Sequence, residues 1–211
     1  MSSRKAVIIN YQMGNLSSVY NAFKFLGIDV EITDSKQKIM DSSGIILPGV
    51  GAFGDTMKNL DTAGVIDTIK NEITKGKPYL GICLGYQVLF EKSEEDEGIE
   101  GLNLLKGKVI RFKTKSKKIP HIGWNQIRKR KESSLIENIP DESFFYFVHS
   151  YYPVPEDDNI ILTETEYDEI FASSIAVDNI FATQFHPEKS QENGLQIIKS
   201  FGEFCDNNSG N

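Results

Sequence analysis

The sequence predicts an α/β fold, with a mostly parallel central sheet flanked by helices and an added antiparallel portion. Three observations predict it. Apolar runs of strand length alternate with helix-spaced stretches as far as Gly98, the pattern of a parallel sheet covered by helices. Beyond Gly98 the chain becomes a series of strand-like pieces without intervening helices. Near the end Leu195, Ile198, Phe201 and Phe204 restore helical spacing, giving a last helix that can cap the sheet.

Residues 6–10 read as the first strand, and from Asn15 the residues Leu16, Val19, Tyr20, Phe23 and Leu26 form a helical stripe that stops at Gly27. Residues 28–33 alternate like a second strand, 44–47 give a short buried third, and a helical pattern over 65–75 precedes a fourth at 79–82. The later strand-like pieces are 108–112, 125–128, 144–152, 160–165, 171–177 and 180–185. No repeat, low-complexity tract or linker interrupts this order, so 1–211 is taken as one domain. A chain of 211 residues with 39% hydrophobic content buries one sizeable core.

Composition removes several classes of function. A net charge of −7 argues against a surface that tracks nucleic-acid phosphates, and the run Lys113–Lys118 reads as a solvated loop. No stretch reaches the ~20 apolar residues of a membrane span, and the Met1–Lys5 opening passes into an apolar run too short for a signal peptide. Two cysteines, Cys83 and Cys205, make no disulfide framework, so a reducing cytoplasm is expected.

The sharpest local signal is the stretch 78–87, Pro-Tyr-Leu-Gly-Ile-Cys-Leu-Gly-Tyr-Gln, where an apolar strand enters a Gly-x-Cys-x-Gly turn and then a helical run through Val88, Leu89 and Phe90. This is a nucleophile-elbow pattern with sulfur in place of the serine oxygen. The glycines allow a tight turn, and the helix N-terminus beyond favours a thiolate. The plain alternative is a buried structural cysteine between packing glycines.

A thiol nucleophile needs a base, and of His121, His149 and His186 the last has the strongest context. His186 ends a strand, Pro187 stops it, and Glu188 stands close enough to accept from one ring nitrogen while the other exchanges a proton with sulfur. Alone, this triplet would read as a surface histidine in a polar turn. The glycines at 49, 51 and 54 match a dinucleotide fingerprint literally, but they follow the third strand, come after Pro48, and lead into a helix broken by Gly64. Presenting backbone N–H groups to an oxyanion is the better use of such a loop. His121 and His149 are expected to pack or hydrogen-bond, Cys205 to fill core, and a metal site of the three has no support in their spacing.

Three motifs thus stand in one order: Pro-Gly-Val-Gly at 48–51, Gly-Ile-Cys-Leu-Gly at 81–85 and Gln-Phe-His-Pro-Glu at 184–188. Together they resemble the class I, triad-type glutamine amidotransferases, whose fold is flavodoxin-like, over nearly the whole chain. The segments 11–15, 120–125 and 146–151 narrow the resemblance to the glutaminase subunits of imidazole glycerol phosphate synthases. Carried over residue by residue, the resemblance implies Cys83 as nucleophile, His186 as acid and base, and Glu188 as its orienting carboxylate. Val50, Gly51 and Leu84 would supply the oxyanion hole. Gln87, Glu95, Ser150 and Tyr151 would hold the ends of glutamine, and Tyr11, Gln12, Tyr146 and Lys189 would face the partner.

The implied chemistry is hydrolysis of glutamine through a γ-glutamyl thioester, with no metal or organic cofactor and no nucleic-acid or membrane partner. The implied partner is a (β/α)8 cyclase subunit, joined in a heterodimer, that receives the ammonia. The chain departs from the family pattern at Tyr86, where methionine is usual, and at Asn10-Tyr11-Gln12, where Asp-Tyr-Gly is usual. Relatives that feed ammonia to sugar amidotransferases of surface-polysaccharide pathways are the alternative acceptor, and a non-catalytic scaffolding homologue is a further one.

Overall fold

The computed structural model describes residues 5–208; residues 1–4, which include most of the opening weighed above as a leader, and 209–211 lie outside it. In chain order the elements begin β1 (Ala6–Ile9), α1 (Leu16–Phe25), β2 (Val30–Thr33), α2 (Lys36–Asp41), β3 (Ile45–Gly49), α3 (Phe53–Thr62), α4 (Ile66–Thr74), β4 (Tyr79–Cys83) and α5 (Leu84–Gln87). They continue with β5 (Lys92–Ser93), β6 (Gly107–Arg111), β7 (His121–Gln126), β8 (Arg128–Lys129), β9 (Phe144–His149), β10 (Tyr151–Pro155), β11 (Ile161–Tyr167), β12 (Glu169–Val177), β13 (Ile180–Thr183) and α6 (Gln191–Asn208).

The main sheet has the order β2-β1-β3-β4-β13-β12-β11-β8. Its first five strands are parallel and the rest antiparallel; β13 returns from beyond Gly98 to the parallel part, so the second half is partly antiparallel, as its pattern predicts. Strands buried on both faces read as unbroken apolar runs, and here each face has its own core. Ala6, Ile8, Ile46 and Leu80 pack with Phe23 of α1 and Ile198 and Phe201 of α6. Val7, Ile9, Ile45 and Leu47 pack with Ile39 of α2, Leu60 of α3 and Ile69 of α4. The crossovers from β2 and β3 run to opposite sides of β1, and such sheets bind ligands at the carboxyl ends of their strands. The carboxyl ends of β1, β3, β4 and β13 all lie along that edge.

Two smaller sheets stand beside it, β10-β6-β5 and the antiparallel ribbon β7-β9. The single strand expected at 144–152 is therefore two strands in different sheets. They part at Ser150, whose carbonyl accepts from Phe112 N–H at 3.1 Å. The strand expected at 125–128 starts earlier, at His121, and Ile127 is buried between β7 and β8.

The helical run expected through Phe90 stops at Gln87, because the returning segment 101–105 takes its carbonyls: Leu102 N–H bonds Val88 O at 2.7 Å and Leu104 N–H bonds Leu89 O at 3.0 Å. Helix α2 had no expectation. Its signals are the Ser35 cap, which accepts from Lys38 N–H, and one buried apolar residue, Ile39, too few for a periodic pattern. Among the described residues no helix is long and apolar enough to cross a membrane.

Candidate active site

The elbow forms where β4 runs into α5. Cys83 has φ 55° and ψ −102°, a conformation that costs an L residue about 1–3 kcal/mol. The flanking glycines are required by close approach of backbones. A Cβ on Gly85 would lie 1.7 Å from Leu47 O of β3, and one on Gly81 would lie 2.5 Å from Gly85 O. The turn is thus pressed between the strand it leaves and its neighbour, which places the sulfur at the sheet's carboxyl edge.

Beyond β13 the chain enters a short 3-10 turn, Pro187–Lys189. His186 N–H bonds Tyr146 O at 2.9 Å and Ser190 Oγ–H donates to His186 O at 2.6 Å, so the backbone at the imidazole is fixed from both sides. Its Nδ1 and Glu188 Oε1 are 2.8 Å apart, and both side chains are buried. Nε2 has no oxygen or nitrogen partner among the described residues and stands across from Cys83. Burial disfavours the imidazolium, but the Cys83 thiolate and Glu188 outweigh it and raise His186 to about 10. The elements therefore bring Cys83, His186 and Glu188 together, as their motifs predict.

A cavity of about 420 Å³ opens over the sulfur. Val50, Gly51 and Leu84, the expected oxyanion donors, line it, and Gly51 has φ +116°, which an L side chain rarely adopts. The expected substrate contacts Gln87, Glu95, Ser150 and Tyr151 line it too. Gln87 Nε2 donates to Tyr151 O at 3.0 Å and to Gln184 Oε1 at 3.1 Å, while its own Oε1 is buried without a hydrogen-bond partner among the described residues.

Glu95 Oε2 accepts from Phe53 N–H at 2.8 Å, and Asp96 Oδ2 accepts from Gly54 N–H at 2.7 Å. These carboxylates occupy the N-terminus of α3, the place where a dinucleotide pyrophosphate would have to bind, and so close the fingerprint reading. Burial raises the Glu95 carboxyl; the Phe53 N–H opposes this, and the nearby Asp96 and Asp55 add to it.

The partner-facing set divides. Tyr11 does not reach the surface: it is 1% exposed, and its hydroxyl donates to Pro48 O at 2.8 Å. Gln12 is exposed. Lys189 lines the cavity and holds its ammonium 5.8 Å from the ring centre of half-buried Tyr146. Tyr146 sits opposite Trp124 on the outer face of the β7-β9 ribbon. On that face Ile122 (59% exposed), Trp124 (46%) and Phe144 (51%) are uncovered, a cluster the sequence reading missed because neighbouring inward residues hide its alternation.

His121 and His149 pair on the ribbon's inner face, Nδ1 to Nε2 at 3.0 Å, consistent with the packing and hydrogen-bonding roles expected of them. Cys205 lies in the core against Gly44, and among the described residues no group of three or more His, Cys, Asp or Glu could hold a metal.

The sequence model of the class I glutamine amidotransferases matches residues 7–203. The chain belongs to this family. The imidazole glycerol phosphate synthase subunit HisH of Aquifex aeolicus is 50% identical over 198 residues, covering 93% of this chain and 95% of that protein. The protein of the same name from Moorella thermoacetica is 48% identical over 200 residues, 95% of each. Among solved structures, a chain of PurLQS from Thermotoga maritima superposes with a TM-score of 0.73 at 21% identity, covering 96% of this chain and 99% of that one. A glutamine amidotransferase from the same organism gives 0.66 at 15%, covering 100% and 87%. Both share the class I amidotransferase fold. Tyr86, where the sequence departs from the expected methionine, does not line the cavity; its ring is wholly buried in the core, edge-on to Phe90 at 5.7 Å.

Proposed function

We propose that this chain is the glutaminase subunit of an imidazole glycerol phosphate synthase, a cytoplasmic enzyme of histidine biosynthesis. It hydrolyses glutamine to glutamate and ammonia and passes the ammonia to a (β/α)8 cyclase subunit in a heterodimer. The observation that carries the reading is Cys83 lining a cavity of about 420 Å³ with the buried His186–Glu188 pair behind it, in a chain half identical to a protein named HisH. Cavities of a few hundred Å³ suit small metabolites.

The chemistry follows from the positions. The Cys83 thiolate attacks the side-chain amide carbon, and the oxyanion is met by the Leu84 N–H and the Val50–Gly51 peptide. Protonated His186 gives its proton to the departing nitrogen, ammonia leaves, and a γ-glutamyl thioester remains. His186, now neutral, takes a proton from water as the hydroxyl attacks the thioester. Sulfur departs as thiolate, glutamate is released, and His186 is again protonated. Gln87 and Glu95 receive the α-amino end of glutamine, and the Ser150–Tyr151 backbone its carboxylate.

The partner reading rests on what adjoins the cavity. Val148 and Lys189 line it, Lys189 with its ammonium by the Tyr146 ring, and Val148 shares the outer ribbon face with the exposed Ile122, Trp124 and Phe144. An apolar exposed face beside an ammonia-producing site suits a docked acceptor subunit. Glutamate release should be measured for the purified chain alone, with a cognate cyclase, and with cyclase plus its acceptor ligand. Release that rises stepwise across the three supports the assignment. Equal release in all three would make the chain a free-standing hydrolase, and stimulation only by a sugar-modifying enzyme would move it to the alternative acceptor.

A further inference from the structure

Gln184 touches the nucleophile. The register of β13 with β4 sets Thr183 beside Ile82, so the next residue of each strand, Gln184 and Cys83, lie side by side. Gln184 is 0% exposed, its backbone N–H is held by Ser173 O at 2.8 Å, and its Nε2 lies 3.5 Å from Cys83 Sγ.

The orientation of this amide is determined by its neighbours. A backbone carbonyl can only accept, so the group that Gln87 turns to Tyr151 O must be its NH2. The second hydrogen of the same nitrogen points to Gln184, which must answer with its oxygen. The NH2 of Gln184 is then the group facing sulfur. Tyr151 O also accepts from His149 Nδ1 at 2.8 Å, and His149 Nε2 from His121 Nδ1, so the ribbon fixes the carbonyl on which the Gln87 amide is oriented, and the donors that end at the thiolate start from Gln87.

We infer that Gln184 is a further catalytic residue, whose amide N–H stabilises the Cys83 thiolate before attack and when sulfur departs from the thioester, with Gln87 as its positioning residue. The consequence for turnover rests on the glutaminase reading; the state of the sulfur does not. A hydrogen bond to a charged group is worth enough that its removal should lower glutamine-dependent kcat/KM by about 10–100-fold.

Two variants test this. Gln184→Glu keeps the size and the acceptor for Gln87 but sets an acceptor against sulfur. Gln184→Met keeps the volume and removes the donor, and serves if the charged variant fails to fold. Alkylation of Cys83 by iodoacetamide, followed by peptide mass across pH, reads the thiolate directly without glutamine or partner. In folded variants the midpoint of alkylation should move up by about one pH unit, because the donor favours the charged form. A parental midpoint in folded Gln184→Met, even with lost turnover, would make Gln184 a packing residue and overturn the inference. A parental chain that alkylates normally but releases no glutamate in complex would instead sink the proposed function alone.

Discussion

Tyr11 donates its hydroxyl proton to the carbonyl of Pro48 across 2.8 Å, tying the chain beyond β1 to the strand that leads into the Val50–Gly51 peptide. The contact is tight. A Cβ on Gly49 would lie 2.6 Å from that hydroxyl and 2.7 Å from Leu84 Cβ, so tyrosine, glycine and elbow fit as one unit. Tyr11→Phe removes one buried hydrogen bond and should cost about 1–2 kcal/mol, a fall in Tm of about 2–8 °C by calorimetry. Because Pro48 leads directly to Val50 and Gly51, kcat should also fall by about 10-fold with KM little moved. An unchanged Tm would show that the hydroxyl does not anchor the loop.

The parallel half of the fold and the set Cys83, His186 and Glu188 were legible because each rests on local rules: continuous apolar strands, glycines at a tight turn, a proline that stops a strand. What was not legible depends on pairings between distant segments. Tyr11 looked like a surface residue because nothing in its neighbourhood says that Pro48 will offer it a carbonyl. Gln184 was read only as part of a motif, since its partners lie 97 and 101 positions away in the chain. The split at Ser150 was hidden for the same reason, as an alternating run carries no mark of which sheet each half will join.

The strained backbone at Cys83 gives a prediction in which stability and activity move apart. At φ 55° and ψ −102° glycine is at ease where alanine is not, so Cys83→Gly should melt higher than Cys83→Ala. After the larger unfolded-state entropy of glycine is subtracted, a difference of about 1–2 kcal/mol remains, or about 2–8 °C. Both variants should lack glutamine-dependent synthesis while keeping ammonia-dependent synthesis with the partner. Measurable glutamate release by either would remove Cys83 from the nucleophile's role.

Glu188 meets His186 through Oε1 and leaves Oε2 buried without a hydrogen-bond partner among the described residues. In Glu188→Gln the amide keeps the size but loses the charge that opposes the imidazolium, and if its NH2 turns to the ring it selects the wrong tautomer. The kcat at saturating glutamine should fall by about 10²–10⁴-fold, less than on loss of Cys83. A fall smaller than about 3-fold would mean that the carboxylate does not support the base.

The paired imidazoles on the inner face of the ribbon predict a loss of stability in mild acid. Tyr151 O accepts from His149 Nδ1, so His149 Nε2 is a lone pair, His121 Nδ1 is the donor to it, and His121 Nε2 accepts from Asn125 Nδ2 at 3.3 Å. Each ring is neutral in this arrangement, and a proton on either free lone pair would face a donor. Burial lowers His121 to about 4, helped by Lys117. Burial lowers His149 to about 3, opposed by its bond to Tyr151 and helped by the charges of His121 and His186. Both values lie below the ~6.5 of an unfolded histidine, so the unfolded chain takes up protons first. The stabilisation is complete above pH ~6.5 and declines as pH falls toward the folded values, by up to about 1.4 kcal/mol per pH unit for each ring. Between pH 6.5 and 5, before most carboxylates titrate, urea midpoints of the parent should therefore drop steadily. His121→Gln and His149→Gln each delete one titrating ring and should make that drop shallower, even where they lower stability at neutral pH. A parent equally stable at pH 6.5 and pH 5 would show that the imidazoles accept protons in the folded state without loss of the ribbon's inner face.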